Sequence, residues 1–440
     1  MRTYLEYKDT GAEWIGDIPK GWVVSKVKYI TRDHRQGYYS PAEYDDNGFR
    51  LIRITDIKDD HTVEVQSSPF YDRTEEEISN FIVRDGDFLF PRTGGVGRFG
   101  IVDFHTPSIY GSFLIRFRFN KLISRKLLKY FFDSQMYLDQ VLMEIHGGVN
   151  QNVHVENIKS CNVLIPPPSE QNQISNYLDR KTLQIDDLSE KTEQKIKLLK
   201  EQRSSLINEC VTKGLDPNIE MKDSGVEWIG EIPCEWGIIP LKYTTKKIGS
   251  GVTPRGGSEV YSESGIPFLR SQNIHFGGLN LENVVYISDE LHKNMSGSKV
   301  QSGDVLFNIT GASIGRCCFI SGPQEYNVNQ HVCIVRPKKE LETRFLNYFF
   351  SSQIGQYQVN LNITGSGREG LNFENLGNFL LPKVPFSEQK QISDFLDRKT
   401  TNIDQIIDTE IKRVDLLREY RQSLISSVVT GKMRITEDLV

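Results

Sequence analysis

KDTGAEWIGDIP at residues 8–19 returns as KDSGVEWIGEIP at residues 222–233, and ISNYLDRKT at residues 174–182 returns as ISDFLDRKT at residues 392–400. The first pair is offset by 214 residues and the second by 218, so a unit of roughly half the 440-residue chain occurs twice. Outward from these anchors the repeat continues. LIRITDI at 51–57 matches FLRSQNI at 268–274, and GDFLFPRTG at 86–94 matches GDVLFNITG at 303–311. LLKYFFDSQ at 127–135 matches FLNYFFSSQ at 345–353, and LLKEQRSSLINECVTKGL at 198–215 matches LLREYRQSLISSVVTGKM at 416–433. Two similar domains in one polypeptide present two similar surfaces, which suits a target that itself has two halves.

Each copy has two textures. The first part mixes short β-type runs (FRLIRI, DFLFPR and FLIRFRF; DVLFNI and HVCIVRP) with Gly, Pro and Asn. A short helix is expected over residues 127–143 and its equivalent over 345–359, which makes an α+β domain. The second part comes after Pro166-Pro167-Pro168 and has no Pro or Gly from 170 to 213, with Ser169 as the expected N-cap. Its apolar positions are Ile174, Leu178, Ile185, Leu188, Ile196, Leu199, Leu206 and Cys210, a heptad-like stripe with one slip. Ile392, Leu396, Ile403, Ile406, Val414, Leu417, Leu424 and Val428 repeat it at an offset of 218. Eight acidic and eight basic residues lie in 170–213, giving a solvated face of mixed charge. Gly214 with Pro217, and Gly431, stop the two helices. So narrow a stripe needs a partner. Either each helix packs on its own globular domain, or the two pack on each other as an antiparallel rod about 65 Å long at 1.5 Å per residue.

Composition sets looser bounds. The chain is 38% hydrophobic, enough for ordinary cores, and no apolar run of membrane-spanning length occurs. The opening residues lack the apolar stretch of a signal peptide, so a cytoplasmic protein is expected. Six cysteines without CxxC or zinc spacing read as reduced thiols, with no metal expected. A net charge of −5 counts against an isolated nucleic-acid binder, although a net value hides patches and partners that bring charge of their own.

The WIGxIP segments, the Pro-x-x-Glu-Gln entry into each helix (PPSEQ at 167–171, PFSEQ at 385–389) and the endings RSSLINECVTKG and RQSLISSVVTGK occur twice and in the same order. In this the whole chain resembles the specificity subunit of type I restriction–modification systems. The resemblance implies a target-recognition domain over 1–165, a helical spacer over 166–214, a second target-recognition domain over 215–383 and a C-terminal helical region over 384–440. It implies that each domain reads one half of a split double-stranded DNA target, that two antiparallel helices hold the domains apart, and that the chain carries no catalysis. It implies partners: two methyltransferase subunits, and restriction subunits for cleavage. S-adenosylmethionine, ATP and Mg would belong to those partners and no cofactor to this chain. Separation by about one DNA turn would put both half-sites on one face of the duplex.

Base edges are read best by Arg on guanine and by Asn or Gln on adenine. Loops collecting such residues are therefore the DNA-binding candidates. In the first domain these are Arg35, Gln36, Tyr38 and Tyr39; Arg92 and Arg98 around the glycine turn; and His146, Asn150, Gln151, Asn152 and His154. In the second they are Thr253 and Arg255; Gln272 and Asn273; Asn308 and Arg316; and Ser366, Arg368 and Asn372. For each one the bland alternative is turn geometry. Arg53/Arg270 and Arg98/Arg316 recur in both copies, as scaffold or phosphate contacts would. Gln151/Glu369 and Asn152/Gly370 differ, as residues of specificity would. Trp14 and Trp228 in the repeated WIGxIP segment are either hydrophobic anchors or a surface for the methyltransferase.

Enzyme signatures are weak. Residues 95–100 match GxGxxG, but residues 101–107 are β-like rather than helical, and the second copy lacks the pattern. There is no GxxxxGK[ST] loop and no Asn/Asp-Pro-Pro-Tyr tetrapeptide, the histidines are scattered, and the two ExK triplets (193–195 and 388–390) fall on the helices. The expectation is a non-catalytic DNA-recognition subunit. The alternatives are a stand-alone binder of bipartite operators and a structural adaptor that does not read DNA.

Overall fold

The computed structural model describes residues 3–11, 15–39, 44–144, 152–254, 256–363 and 370–436. It divides into two compact units, residues 1–192 with 412–440 and residues 193–411. These cut across the linear divisions that the sequence suggests. Each unit takes one globular domain, the beginning of one long helix and the end of the other.

In the first unit, β1 (Thr31–Gln36), β6 (Leu114–Phe119), β3 (Phe88–Pro91) and β4 (Gly100–Ile101) form one antiparallel sheet in that spatial order. β2 (Phe49–Ile52) lies parallel to β5 (Ser108–Tyr110) in a second sheet. Helices α1 (Arg125–Phe132), α2 (Gln135–Glu144) and α3 (Val155–Ser160) come next, and then α4 (Pro168–Lys213). The second unit repeats the order: β7 (Thr245–Ser250), β12 (Val332–Pro337), β9 (Val305–Asn308) and β10 (Cys317–Phe319) make the antiparallel sheet, and β8 (Ile266–Leu269) runs parallel to β11 (Tyr326–Val328). Helices α5 (Thr343–Ser351), α6 (Gln353–Asn362), α7 (Phe373–Gly377) and α8 (Phe386–Val429) complete it.

Strand periodicity explains the two cores of each unit. Side chains alternate across a strand. Phe88, Phe90, Ile115 and Phe117 therefore enter the core under α1, while Leu89 and Leu114 enter a smaller core on the other face. Val305, Phe307, Cys333 and Val335 divide from Leu306, Val332 and Ile334 in the same way. One ion pair with a buried aspartate recurs. Arg118 grips Asp87 through Nε and Nη2 (2.7 and 2.9 Å), and Arg336 grips Asp304 (2.7 and 2.8 Å), a fork geometry that fixes orientation as well as charge.

The single helix expected over 127–143 is two helices. Ser134 Oγ bonds to Phe131 O (2.6 Å) and accepts the Tyr137 N–H, and Ser352 Oγ bonds to Phe349 O (2.6 Å) and accepts the Gly355 N–H. Each serine closes one helix and caps the next. Ser169 is not an N-cap. α4 begins at Pro168, a residue suited to the first helical position because its missing N–H would have no partner there.

The repeated helix-entry motif forms a clasp. Trp22 Nε1 donates to Glu170 Oε2 (2.9 Å), and Trp236 Nε1 donates to Glu388 Oε2 (3.0 Å), with both indoles buried. Next to each glutamate, Gln171 accepts from Ser124 N (2.8 Å) and donates to Leu122 O and Pro166 O. Gln389 accepts from Glu342 N (2.7 Å) and donates to Glu340 O and Val384 O. Two turns on, the LDRKT segment holds a tyrosine. Tyr130 Oη bonds to Asp179 (2.7 Å) beside Thr182, and Tyr348 Oη bonds to Asp397 (2.7 Å) beside Thr400.

Within each unit a segment of α4 runs antiparallel to a segment of α8. In the first, Arg421 bonds to Asp186 (2.9 Å) and to Asp133 (2.9 Å). The second has Arg203 on Asp404 (2.8 Å) and Lys195 on Glu410 (2.6 Å). An offset of 218 carries Asp186 to Asp404 and Arg203 to Arg421, so the same bond is made twice with the helices exchanging roles. The apolar stripe is corrected at its slip. Leu188 and Ile406 are 36% and 42% exposed, and Thr192 and Glu410 take the buried positions one turn later. Gly431 (φ +72°) is a C-cap that no other residue could fill, since a Cβ there would lie 2.4 Å from Pro19 Cδ.

Glu170→Ala and Glu388→Ala would each strand a buried indole N–H. Each should destabilise its own unit by about 1–3 kcal/mol, read from urea unfolding monitored by tryptophan emission. Glu→Gln, which keeps an acceptor, should cost less.

Candidate nucleic-acid interface

The turn joining β5 to β6 (residues 111–113), which leads from one sheet to the other, stands at one edge of the first unit, and backbone bonds gather other loops around it. Gly37 N donates to Leu114 O (2.9 Å), Tyr38 N to Tyr110 O (2.8 Å), Arg92 N to Phe113 O (2.8 Å) and Val153 N to Arg92 O (2.8 Å). Gln36 Nε2 bonds to Ser112 O at the tip (3.2 Å). The fold thus brings Gln36, Tyr38, Tyr39, Arg92, Asn152 and His154 to one edge, although they are far apart in sequence.

The second unit builds the same edge with other side chains. Gly251 N donates to Val332 O (3.3 Å) as well as to Asn329 O (3.1 Å), Ile309 N to His331 O (3.1 Å) and Leu371 N to Ile309 O (2.9 Å). Here the tip is Asn329-Gln330-His331. Thr253 Oγ1 bonds to Gln330 Oε1, Gln330 Nε2 to His331 Nε2 (3.0 Å), and His331 Nδ1 to Thr310 Oγ1 (2.6 Å). With Nε2 accepting, the ring proton sits on Nδ1 and points at Thr310, so an exposed polar chain is already set in one arrangement.

Other candidates are placed elsewhere. Arg35 is exposed on β1, 5.7 Å over the Phe81 ring. Arg98 bonds to Ile57 O (2.8 Å) and lies 3.4 Å from Asp59, which ties it to the loop after β2. Arg316 is half-buried, and its carbonyl accepts from Asn308 N. Gln272 is exposed, and Asn372 caps α7 by accepting the Asn375 N–H (2.7 Å). Asn273 and Asn308 are both buried, with Asn273 bonded to the Arg270 N–H and Asn280 O, and the Asn308 amide nitrogen bonded to Ser271 O and Ser313 Oγ. The Asn273 amide and the Asn308 Nδ2 are engaged inside the domain. Trp228 packs half-buried against the second unit's core, 5.9 Å from Tyr357. Trp14, His146, Asn150, Gln151, Arg255, Ser366 and Arg368 lie outside the described residues.

Sequence reasoning missed the tip residues Ser112, Phe113, Gln330 and His331. It also missed Trp22 and Trp236, which recur at the same offset of 214 as the WIGxIP segments and could have been found from it. Among the described residues no group of three or more His, Cys, Asp or Glu could hold a metal ion, and no helix is long and apolar enough to cross a membrane. All six thiols are unpaired, and burial pushes those of Cys161, Cys318 and Cys333 up to about 12.

A duplicated α+β module, each copy offering a loop edge on a shared scaffold and a clasped long helix, defines a class of recognition protein. The chain matches the type I restriction modification DNA specificity domain at residues 19–198 and 247–415 and belongs to that family. It is 22% identical over 444 aligned residues to the type I restriction enzyme EcoKI specificity subunit of Escherichia coli K12, covering 95% of this chain and 90% of that one. It is 24% identical over 285 residues to the MjaVIII specificity subunit of Methanocaldococcus jannaschii, covering 64% of this chain and 63% of that one. The fold matches a chain solved in a study of complex assembly and conformational transition of the type I R-M system. That match has a TM-score of 0.73 at 17% identity and covers 94% of this chain and 99% of the other.

Asn308→Ala should lower the stability of the second unit by about 1–3 kcal/mol in thermal or urea unfolding. An unchanged midpoint would return Asn308 to the surface candidates.

Proposed function

We propose that this chain is the non-catalytic DNA-recognition subunit of a type I restriction–modification complex. On this reading each loop edge reads one half of a split double-stranded target, and the chain directs methyltransferase and restriction subunits to it. The observation that carries the reading is the pair of loop edges. Three of their backbone bonds are the same, but the residues differ at every tip position: Gly111, Ser112 and Phe113 against Asn329, Gln330 and His331, with Phe113 and Gln330 exposed and Asn329 buried. A shared scaffold under divergent side chains is what two readers of different base sequences require, since backbone contacts position a protein and base contacts specify.

The long helices supply the spacer. A rod of fixed register between two readers would set the number of unread base pairs by geometry. Support comes from the Asp186–Arg421 and Arg203–Asp404 bonds, which repeat at one offset and so pin one register. The partners are two methyltransferase subunits, which would carry S-adenosylmethionine, and restriction subunits, which would carry ATP and Mg. A surface used twice should recur twice. Leu198 and Leu416, related by the 218-residue offset, are 64% and 63% exposed on the helices. A single exposed leucine is ordinary, so it is the recurrence at one offset that marks this pair.

Long-read methylation mapping of a host carrying the chain with its methyltransferase, against the same host lacking only this chain, should show a split motif that vanishes with the chain. Absence of any chain-dependent motif would sink the reading. Replacing residues 21–165 with those of a relative should change one half-site only. Leu198→Asp or Leu416→Asp alone should leave one methyltransferase bound, and the pair none, counted by native mass spectrometry.

A further inference from the structure

The edge of the first unit is aromatic where that of the second is polar. Phe113 at the turn between β5 and β6 is 61% exposed, Tyr39 76% and Tyr44 58%. With Tyr38, Tyr71 and Arg53 they line an open cleft of about 410 Å³. The cleft's only charge among its described residues is Arg53, whose guanidinium is oriented by Asp56 (Nη2 to Oδ1 3.1 Å, Nε to Oδ2 3.4 Å). Backbone bonding fixes the counterparts. Gly37 and Gly251 make the same contact with the strand after the tip, so Tyr38 and Tyr39 correspond to Val252 and Thr253. Phe113 and His331 accept the same N–H, from Arg92 and Ile309, so they correspond to each other.

A large exposed apolar tip beside an apolar cleft calls for an apolar partner group. Double-stranded DNA offers one apolar group at the base edges, the C5-methyl of thymine in the major groove, with phosphates close by. We propose that Phe113 is a specificity-determining residue that reads a thymine in the first unit's half-site through its C5-methyl group, with the tyrosines of the cleft completing the apolar surround. This rests on the proposed function, recognition of a split DNA target.

The test uses the complex of the full chain with its methyltransferase and begins from the mapped motif, with the first unit's half-site assigned by domain exchange. Each thymine of that half-site is replaced singly by deoxyuridine, which removes only the methyl, and binding is followed by fluorescence anisotropy. One replacement should weaken binding about fourfold, the equivalent of burying one such group at about 0.8 kcal/mol. Phe113→Ala should weaken binding to the thymine duplex and erase the thymine–uracil difference, while Phe113→Leu, still apolar, should keep part of it. The proposal is overturned by a half-site without a T·A pair, by uracil tolerated at every position, or by a difference that survives in Phe113→Ala. The uracil series needs no variant, so a misfolded mutant leaves it decisive. Failure of the underlying reading looks different: the wild-type complex would show no chain-dependent motif at all.

Discussion

The indole–carboxylate bond at the foot of each long helix is the contact on which the rest of the architecture depends. Trp22 and Trp236 sit just after the WIGxIP hairpins, and Glu170 and Glu388 sit in the first turns of α4 and α8. Each bond joins the start of a domain to the point where its chain leaves as a helix. Charge assistance strengthens it, and a carboxylate in the first turn also faces the positive end of the helix. The adjacent glutamine then spends its whole amide on three backbone groups, which fixes the exit direction of the helix.

Most of what recurs between the copies serves this scaffold. The LDRKT segment recurs because Asp179 and Asp397 each hold a tyrosine from the preceding helix. The GDxLF segment recurs because Asp87 and Asp304 are buried carboxylates that each pair with a half-buried arginine, and Asp304 in turn raises the Arg336 guanidinium above its ordinary value. The FFxSQ segment recurs because one serine must both end a helix and begin another. The tips, by contrast, carry different side chains in the two copies.

The duplication, the α+β class, the main strands and the long helices with their glycine stops were legible as local patterns. The helix entry was legible only as a motif, because a Ser-Glu-Gln run after proline gives no hint that its glutamate meets a tryptophan about 150 residues earlier in the chain. The slip in the apolar stripe was read through Leu188 and Ile406, which a periodicity count favours, yet Thr192 and Glu410 are the buried ones. Periodicity records hydrophobicity, whereas burial depends on where a neighbouring helix lies. Asn273 and Asn308 looked like readers because asparagine in a loop is ambiguous between contacting a partner and bracing a turn. Only the positions of Asn280, Ser271 and Ser313 settled it.

By itself, then, the sequence determined that one plan is used twice and in which order its parts come, because repetition and local propensity are properties of the chain. The tertiary structure decided which loops share an edge and which tip residues are displayed there. It also decided that each compact unit borrows the end of the other copy's helix. Those facts depend on contacts between residues far apart in the chain, and no local pattern encodes them.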